Sequence, residues 1–528
     1  MYKIKVVFSL LLVLSFVNGC QITPKIDPYT QIKDQGIVIA SFNSPIPVGL
    51  VLEREDGEVF NYSSTYSYKP TKNVWSWLPP GKYQINALLV QSILGFDTVP
   101  LNKEQFNPII VEIGRVTDLN QLIPIDFGGG KYTLLSLPRQ GSYEADVVQE
   151  NPKLLLDEEP IEWSSSDRKV SVGDIKFSSS GMGFIVDTIL TASKKSQQTQ
   201  DKLTLDGSLD HFQVFELVKS LSPTTNAVVS DNFGNDLIGT FFGKVKVNNN
   251  GIWSVSDTGT TDAILALEVT ELNAVYAGLE TGKVLVSNDF EKGWNEVISL
   301  GGDELIFGIK EHKEKLYVGT WKPTLKDGKF TVLSNTQISP QISLYTIENN
   351  IAEKLFTING KEMFPFGVKM SLIDDNDYLY IILPGDTLFR VSKGSKEYTK
   401  LETPEVFSGA SISDEGSVIT IWRNQGLFSS AYQSKDHGAT WAELKGIPAN
   451  PIFVLNELSG ETVSWSIAMN FNSSNLDFDK LEENGKWTPI TVSDTDCRGV
   501  IASQDSGQYY CVLSNGLLRE FSDGNWKK

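Results

Sequence analysis

The segment Ser434-Lys435-Asp436-His437-Gly438-Ala439-Thr440-Trp441 decides the fold class of this chain of 528 residues. Serine and aspartate side chains readily hydrogen-bond the backbone of a tight turn. Gly438 supplies the unusual backbone φ that such a turn needs, and Trp441 offers a large ring to fill the space between strands. The segment is therefore predicted to be a structural turn, built by Ser434, Asp436, Gly438, Thr440 and Trp441.

A loose repeat surrounds this turn from about residue 163 to residue 528. Each unit has a β-rich run, a glycine turn, a second β-rich run and a polar turn that ends in an aromatic residue. Repeats of roughly 40 to 50 residues with this pattern indicate propeller blades. The gap between Trp294 and Trp441 has room for about three units, two of them without the tryptophan. Tryptophans close the other units: Trp253, Trp294, Trp441, Trp487 and Trp526.

Residues 434–441 match the S-x-D-x-G-x-T-W pattern of the Asp-box, so this region resembles the Asp-box (BNR-repeat) β-propellers. Degenerate copies lie at Ser287 to Trp294 and at Ser522 to Trp526. The group includes sialidases, sortilin-like domains, photosystem-assembly-factor-like proteins and xyloglucanase-like hydrolases. The resemblance implies an all-β fold in which residues 163–528 form a seven- or eight-bladed β-propeller.

Residues 36–130 are predicted to form a small N-terminal β-sandwich. In the segment Leu78-Pro79-Pro80-Gly81-Lys82-Tyr83-Gln84-Ile85, a Pro-Gly turn precedes a strand on which Tyr83 and Ile85 share one face. This segment resembles a hairpin of transthyretin-like and carboxypeptidase-regulatory-like sandwiches, which implies a fold and no activity. Residues 131–162 hold three prolines and an acidic run, and we interpret them as a connector with one or two strands.

Trp75 and Trp77 lie two residues apart and would share one face of a strand. They belong either to the sandwich core or to an exposed aromatic platform for a sugar or a protein. The nearby Tyr62, Tyr66 and Tyr68 favour a binding rim slightly.

The first residues resemble a bacterial lipoprotein signal peptide. Lys3 and Lys5 precede an apolar run of about a dozen residues, which is too short to span a bilayer. The run ends in Val17-Asn18-Gly19-Cys20, similar to a lipobox. The resemblance implies cleavage after Gly19, lipidation of Cys20 by diacylglycerol and a fatty acyl chain, and a tether over residues 20–35. Gln21 favours the outer membrane, on either its periplasmic or its exposed side.

Charge and cysteine content narrow the function further. The net charge of -19 argues against nucleic-acid binding, which requires a basic face. Cys497 and Cys511 are the remaining cysteines and, in an exported protein, are predicted to form a disulfide; two buried thiols are the alternative. The sequence has no CxxC motif and no histidine near these two cysteines. We therefore predict no metal and no cofactor apart from the lipid.

Catalytic patterns are missing. A sialidase would be expected to carry an Arg-Ile-Pro phrase and three converging arginines, but the sequence lacks the phrase. Carboxylates are too numerous for their spacing to select a glycosidase pair, and the histidines His211, His312 and His437 are scattered. Two acidic stretches, 231–236 and 374–377, could offer oxygens to calcium, but turn formation explains them more simply.

We therefore predict a cell-envelope lipoprotein that acts as a non-catalytic binding or scaffolding module through its propeller face. Its partners would be the membrane, through the lipid anchor, and an envelope protein or glycan. The alternative is a polysaccharide-acting glycoside hydrolase whose catalytic residues are unknown.

Overall fold

The computed structural model describes most of the chain after residue 33. The described ranges are 34–44, 48–63, 71–92, 95–128, 130–139, 160–176, 207–290, 292–302, 304–323, 340–359, 370–375, 377–383, 387–413, 418–456, 461–470, 473–491, 497–503, 507–513, 516–522 and 525–526. Gly19, Cys20 and the predicted tether up to residue 33 lie outside them.

The first part of the described chain is built from strands with one 3₁₀ turn at Lys103–Gln105. The strands are β1 (Gly36–Asn43), β2 (Val48–Arg54), β3 (Val59–Ser63), β4 (Thr71–Leu78), β5 (Gly81–Ser92), β6 (Gly95–Pro100), β7 (Ile109–Val111), β8 (Val116–Gly128), β9 (Lys131–Leu137), β10 (Ile161–Glu162) and β11 (Gly173–Asp174).

These strands form two sheets, as the predicted sandwich requires. One sheet has the order β11-β9-β8-β1-β4 with β10 beside β8, and the other has the order β3-β2-β5-β6 with β7 beside β5. Strand β1 is buried along its whole length because it is a central strand. Its Val38, Ala40 and Phe42 share one face and pack into a core with Leu50 and Ile85 of the other sheet.

A single described helix, α1 (His211–Val218), joins the two regions. It begins with a capping box, in which Asp210 accepts from Gln213 N–H and the Gln213 side chain accepts from Asp210 N–H. Val214 and Phe215 pack in one core with Ile123 of the sandwich and Phe242 of the propeller. The helix therefore lies at the junction of the two regions, which share this core.

Seven four-stranded antiparallel sheets follow, each built from four consecutive strands, and we number them blades 1 to 7. Blade 1 contains β12 (Pro223–Ser230), β13 (Asp236–Thr240), β14 (Lys244–Asn249) and β15 (Ile252–Asp257), and blade 2 contains β16 (Ile264–Val269), β17 (Val275–Leu279), β18 (Lys283–Ser287) and β19 (Asn295–Ser299). Blade 3 contains β20 (Leu305–His312), β21 (Lys315–Pro323), β22 (Pro340–Glu348) and β23 (Ile351–Asn359), and blade 4 contains β24 (Ser371–Asp374), β25 (Tyr378–Leu383), β26 (Thr387–Ser392) and β27 (Tyr398–Leu401). Blade 5 contains β28 (Gly409–Ile412), β29 (Ile419–Arg423), β30 (Ser430–Ser434) and β31 (Ala442–Glu443), and blade 6 contains β32 (Pro451–Asn456), β33 (Thr462–Asn470), β34 (Ser473–Leu481) and β35 (Trp487–Thr491). Blade 7 contains β36 (Cys497–Ser503), β37 (Gln508–Leu513), β38 (Leu518–Ser522) and β39 (Asn525–Trp526).

The blades form a closed ring. The innermost strands are the first of each blade, because β12, β16, β20 and β24 contact one another in succession and β12 also contacts β36 of blade 7. Every blade is made of four consecutive strands, so no blade combines strands from the beginning and the end of the propeller. The ring therefore closes through side-chain contacts between blades 1 and 7. The all-β prediction of a sandwich followed by a propeller is confirmed, and the described strands of the propeller group into seven four-stranded sheets.

The boundary between the regions lies later than the sequence predicted. Strand β9 and the short strands β10 and β11 all belong to a sandwich sheet, although residues 131–162 were interpreted as a connector and the propeller was placed from residue 163. Trp163 packs in the sandwich core rather than closing a blade. The one or two strands expected in the connector are present as β9 and β10. Their pairing with the sandwich sheet, like that of the two-residue β11, leaves no periodicity in the sequence.

Candidate functional site

The propeller has two distinct faces, which we name by what lies on them. The sandwich face carries the turns between the second and third strands of each blade and the links from one blade to the next. There, Asn43 Nδ2 donates to Thr261 O (3.1 Å), and Thr71 N–H and Oγ1 donate to Glu280 (2.8 and 2.7 Å). The open face carries the turns between the first and second strands and between the third and fourth strands. The sandwich therefore covers blades 1 and 2 on one side of the ring only.

Glu280 is the central polar group of this junction. It is fully buried and accepts from Ala263 N–H (3.0 Å) as well as from Thr71. Burial first, and then the negative charge of Asp262, raise the pKa of Glu280 above its usual value. The carboxyl group thus holds the two domains together through hydrogen bonds, with no ion pair among the described residues.

His211 is a second polar group of the junction. Its Nδ1 accepts from Ser136 N–H (2.9 Å), so Nε2 carries the proton and donates to Gln105 O (3.1 Å). Burial lowers the pKa of His211, which favours the neutral ring. Both nitrogens serve the packing of α1 on the sandwich, which gives this histidine a structural role.

The turn 434–441 lies on the open face of blade 5, between β30 and β31. Ser434 Oγ donates to Asp436 Oδ1 (2.8 Å) and accepts from Gly438 N–H (2.8 Å). Thr440 donates to Asp436 from its backbone N–H (2.8 Å) and its hydroxyl (2.6 Å). These bonds, that of the Thr440 hydroxyl foremost, lower the pKa of Asp436 to about 2. Gly438 has φ +85°, and a Cβ there would meet Leu401 Cδ1 at 2.6 Å.

His437 of the same turn reaches the neighbouring blade. Its Nδ1 lies 3.0 Å from Asp375 Oδ2 of blade 4, and the Tyr380 hydroxyl donates to that same oxygen (2.8 Å). Arg390 Nη1 donates to His437 O (3.0 Å) and its guanidinium lies over the Tyr378 ring, 4.7 Å from the centroid. His437 and Asp375 belong to separate turns of the chain, and the fold brings them together in this cluster between blades 4 and 5.

The electrostatics of the cluster favour a charged carboxylate. Burial acts to raise the pKa of Asp375, but hydrogen bonds from Tyr380, Tyr378 N–H, Asp377 N–H and the His437 ring outweigh it, so the pKa is lowered. Burial and the bond to Asp375 raise the pKa of Tyr380 well above its usual value. The Asp375 side chain is 2% exposed and that of His437 is 32% exposed, so the imidazole forms the accessible edge.

The five tryptophans that the sequence analysis singled out share one position, at or next to the start of the fourth strand. Each contacts the preceding blade around the ring. The indole Nε1 atoms of Trp294, Trp441 and Trp487 donate to Ser256 Oγ (3.0 Å), Glu402 O (3.0 Å) and Lys445 O (3.1 Å) respectively. Trp253 packs edge-on against Tyr510, and Trp526 lies 5.3 Å from Trp465.

Blade 4 has a tyrosine at this position. Tyr398 begins the fourth strand and lies 4.9 Å from Phe356 of blade 3. The long interval between Trp294 and Trp441 therefore spans blades 3 to 5, of which blades 3 and 4 lack the tryptophan, as predicted.

Two exposed apolar side chains lie on neighbouring turns of the open face. Phe233 and Leu272, at the first turns of blades 1 and 2, are 79% and 86% exposed. Asn232 joins the two turns: its N–H donates to Asn273 Oδ1 (3.1 Å) and its Nδ2 to the carbonyls of Thr270 and Glu271 (3.1 Å each). We call Phe233 and Leu272 the apolar pair.

Other predicted residues have simpler roles. Cys497 and Cys511 lie on adjacent strands with Cα atoms 5.5 Å apart, joined by a disulfide. Trp77 is buried in the sandwich, whereas the side chains of Trp75 and Tyr62, and all of Tyr66 and Tyr68, lie outside the described residues. Asp231 lies in one of the two acidic stretches considered for calcium. Its Oδ1 accepts from Phe233 N–H and Asn235 N–H (2.9 and 2.8 Å), so this oxygen stabilises the turn.

The described arginines do not converge on one point. Arg168 binds Asn107 of the sandwich, Arg390 lies at the open face beside His437, and Arg423 pairs with Glu405 (3.7 Å) near the sandwich face. Among the described residues, no three His, Cys, Asp or Glu side chains cluster as metal ligands would. No helix in the described part of the chain has the length and hydropathy to cross a bilayer.

Comparisons with known proteins support no closer assignment. No protein-family model matches the chain, and no curated protein matches its sequence. Among solved structures, an oligogalacturonate lyase in complex with manganese aligns with 56% of this chain and 86% of its own, at 10% identity and a TM-score of 0.43. YCF48 from Cyanidioschyzon merolae aligns with 57% and 98%, at 12% identity and a TM-score of 0.40. The WD40 β-propeller domain of Doa1 aligns with 57% and 94%, at 12% identity and a TM-score of 0.37. Similarities this low carry no argument about activity.

Proposed function

We propose that this chain is a lipid-anchored protein of the cell envelope that binds a partner through the open face of its propeller, without catalysis. The apolar pair carries the proposal. Phe233 and Leu272 are almost fully exposed, yet their turns are joined by three hydrogen bonds. Burial of exposed apolar side chains against a partner is favourable, and turns that are already joined to each other lose less conformational freedom on binding.

We assign the propeller to the Asp-box type. The hydrogen bonds among Ser434, Asp436, Gly438 and Thr440 support the assignment, since they use the residues that the pattern specifies. The degenerate copy in blade 2 supports it too, because Ser287 Oγ donates to Gly293 O (2.9 Å) in the corresponding turn. In both places the motif stabilises a turn, so its presence gives no reason to expect catalysis.

The direction of β1 supports an anchored arrangement in which the open face points away from the membrane. Asn43, at the end of β1, contacts the propeller, so Gly36 lies at the far end of the sandwich. A strand of this length spans about 25 Å. A lipid on Cys20 would therefore attach the sandwich to an outer membrane by its far end, and two or more acyl chains would make that attachment stable.

Replacing both members of the apolar pair, as in the double variant Phe233→Ser and Leu272→Ser, is expected to abolish partner recovery. The reason is that two anchors that exclude water from an interface are lost, and hot-spot truncations cost at least about 2 kcal/mol each. The measurement is crosslinking in the native host, purification of the tagged chain and quantitative mass spectrometry. We expect one envelope protein near stoichiometry with the wild type, and at least a tenfold decrease with the variant.

A matched control exists on the other face. Leu427 and Phe428, 88% and 84% exposed, lie in the turn between the second and third strands of blade 5. The double variant Leu427→Ser and Phe428→Ser should recover the same partner in the same amount. Equal losses in both variants, or no enriched protein with the wild type, would contradict the proposal.

Replacing Cys20 with alanine is expected to move the protein from the membrane fraction to the soluble envelope fraction, because the covalent lipid is the proposed anchor. Fractionation followed by immunoblotting measures this, and the mass of the N-terminal peptide shows the lipid directly. A variant with Cys497 and Cys511 both replaced by alanine should stay in the membrane fraction. Retention of the Cys20→Ala variant in that fraction would count against the anchor.

A polysaccharide-acting hydrolase is the second candidate. One observation favours it: the half-buried His437 ring is held by the buried carboxylate of Asp375, an arrangement that can serve acid–base chemistry. Release of reducing sugars from a glycan panel by the purified chain would favour this candidate over the binding module.

A further inference from the structure

Two carboxylates share a polar surface between blades 5 and 6. In the pairing of β33 with β34, Ser464 lies opposite Asp479 and Ser466 opposite Asp477. Since side chains of a strand alternate between faces, these four residues project from one side of the blade. The other side, with Trp465 and Phe478, packs against blade 7. The four residues therefore face blade 5.

Contacts across this boundary confirm that the two blades meet here. Ser411 Oγ of blade 5 donates to Val454 O of blade 6 (2.6 Å). Gln433 Nε2 of blade 5 donates to Thr462 Oγ1 of blade 6 (3.5 Å). The boundary combines these polar contacts with an apolar cluster of Trp422, Ala431 and Val454, and Ser464 lies opposite Val454 in the strand pairing.

Ser464 gives the second, independent observation. Its side chain is fully buried, and its Oγ has no hydrogen-bond partner. A buried polar group without a partner costs roughly 1–3 kcal/mol and calls for an explanation. Ser466, directly across from Asp477, is 2% exposed and adds a second hydroxyl to the same surface.

The two carboxylates lie close together in the strand. Among the described residues, neither Asp477 nor Asp479 forms an ion pair with a lysine or an arginine. Two neighbouring carboxylates beside an unpartnered buried hydroxyl form an arrangement that a cation would stabilise.

We propose that Asp477, Asp479, Ser464 and Ser466 form a site for a hard divalent cation, best suited to Ca²⁺. Every donor is an oxygen, which hard cations prefer, and no histidine or cysteine is present to attract softer metals. Ca²⁺ accepts irregular oxygen sets more readily than Mg²⁺, which requires near-octahedral geometry. The ion would link β33 and β34 at the boundary with blade 5. With two carboxylates, we expect weak binding, on the order of 10⁻⁴ to 10⁻³ M.

Thermal unfolding of the full chain tests the site. After treatment with EDTA, the midpoint should rise by about 3 °C in 10 mM CaCl₂, and by clearly less in 10 mM MgCl₂. In the double variant Asp477→Asn and Asp479→Asn the calcium-dependent rise should be lost. Asp174→Asn is the control, because Asp174 is a strand aspartate with a 78% exposed side chain, and it should keep the full rise.

Equal rises with CaCl₂ and MgCl₂, no rise in the wild type, or a full rise in the double variant would overturn the proposal. If the double variant does not fold, Ser464→Ala decides, since it removes a donor without changing the charge. A reduced calcium response in Ser464→Ala supports the site, and an unchanged response overturns it.

Discussion

Replacing Asp236 with alanine is expected to lower the free energy of unfolding by about 3 kcal/mol, because the change removes a carboxylate that accepts from the buried hydroxyls of Ser503 and Tyr510. Asp236 begins the second strand of blade 1 and is 4% exposed. It accepts from Ser230 Oγ (2.5 Å) in its own blade, and from Ser503 Oγ (2.9 Å) and the Tyr510 hydroxyl in blade 7. These bonds cross the point where the ring closes.

Tyr510 extends the network. Its oxygen also accepts from Asn248 Nδ2 (2.9 Å), and burial with the bond to Asp236 raises the pKa of Tyr510 well above its usual value. The hydroxyl therefore stays protonated and donates to the carboxylate.

Chemical denaturation of four proteins measures the effect: wild type, Asp236→Ala, Tyr510→Phe and the double variant. We expect Tyr510→Phe alone to cost about 1 kcal/mol. The double variant should cost less than the sum of the single changes, because the two groups are bonded to each other. Strict additivity would show that the two side chains do not act together at the ring closure.

Replacing Trp465 with alanine is expected to lower the free energy of unfolding by about 4 kcal/mol, through lost burial and the cavity that remains. Trp465 is fully buried between blades 6 and 7. Its ring stacks on Phe478 at 4.5 Å and contacts Tyr509, Phe521 and Trp526 at 5.3 to 5.4 Å. Its removal therefore affects an entire aromatic cluster.

Denaturation followed by circular dichroism measures this loss without depending on tryptophan emission. Trp441→Ala is the control, because that ring is partly exposed and its main specific contact is the bond from Nε1 to Glu402 O. We expect about 1 kcal/mol for the control. Similar losses in the two variants would show that the cluster around Trp465 adds little stability.

The sequence predicted the features that depend on local chemistry. The turn 434–441 is formed by residues that hydrogen-bond to one another within a few positions. One short stretch of sequence is therefore enough to predict it. The closing tryptophans recur because each blade has the same space to fill beside its predecessor. Their spacing therefore predicted the repeat, including the blades without a tryptophan.

Features that depend on distant residues were not predictable from one sequence. Asp375 and His437 meet across a boundary between blades, and Asp477 and Asp479 look like ordinary alternating strand positions until Ser464 is placed opposite. Strands β10 and β11 have two residues each, and they pair with β8 and β9, which lie many residues earlier in the chain. No local periodicity encodes such pairings.

The tryptophan contacts also imply an order of assembly. Each ring reaches back to the blade that precedes it, so a blade can attach to its predecessor as soon as its own fourth strand has been synthesised. Blade 1 is the exception, since Trp253 and Asp236 find their neighbours in Tyr510 and Ser503. During synthesis from the N-terminus, the growing propeller is an open arc. Its first blade lacks its neighbour until blade 7 has been synthesised. A chain truncated before blade 7 would leave those two side chains facing water.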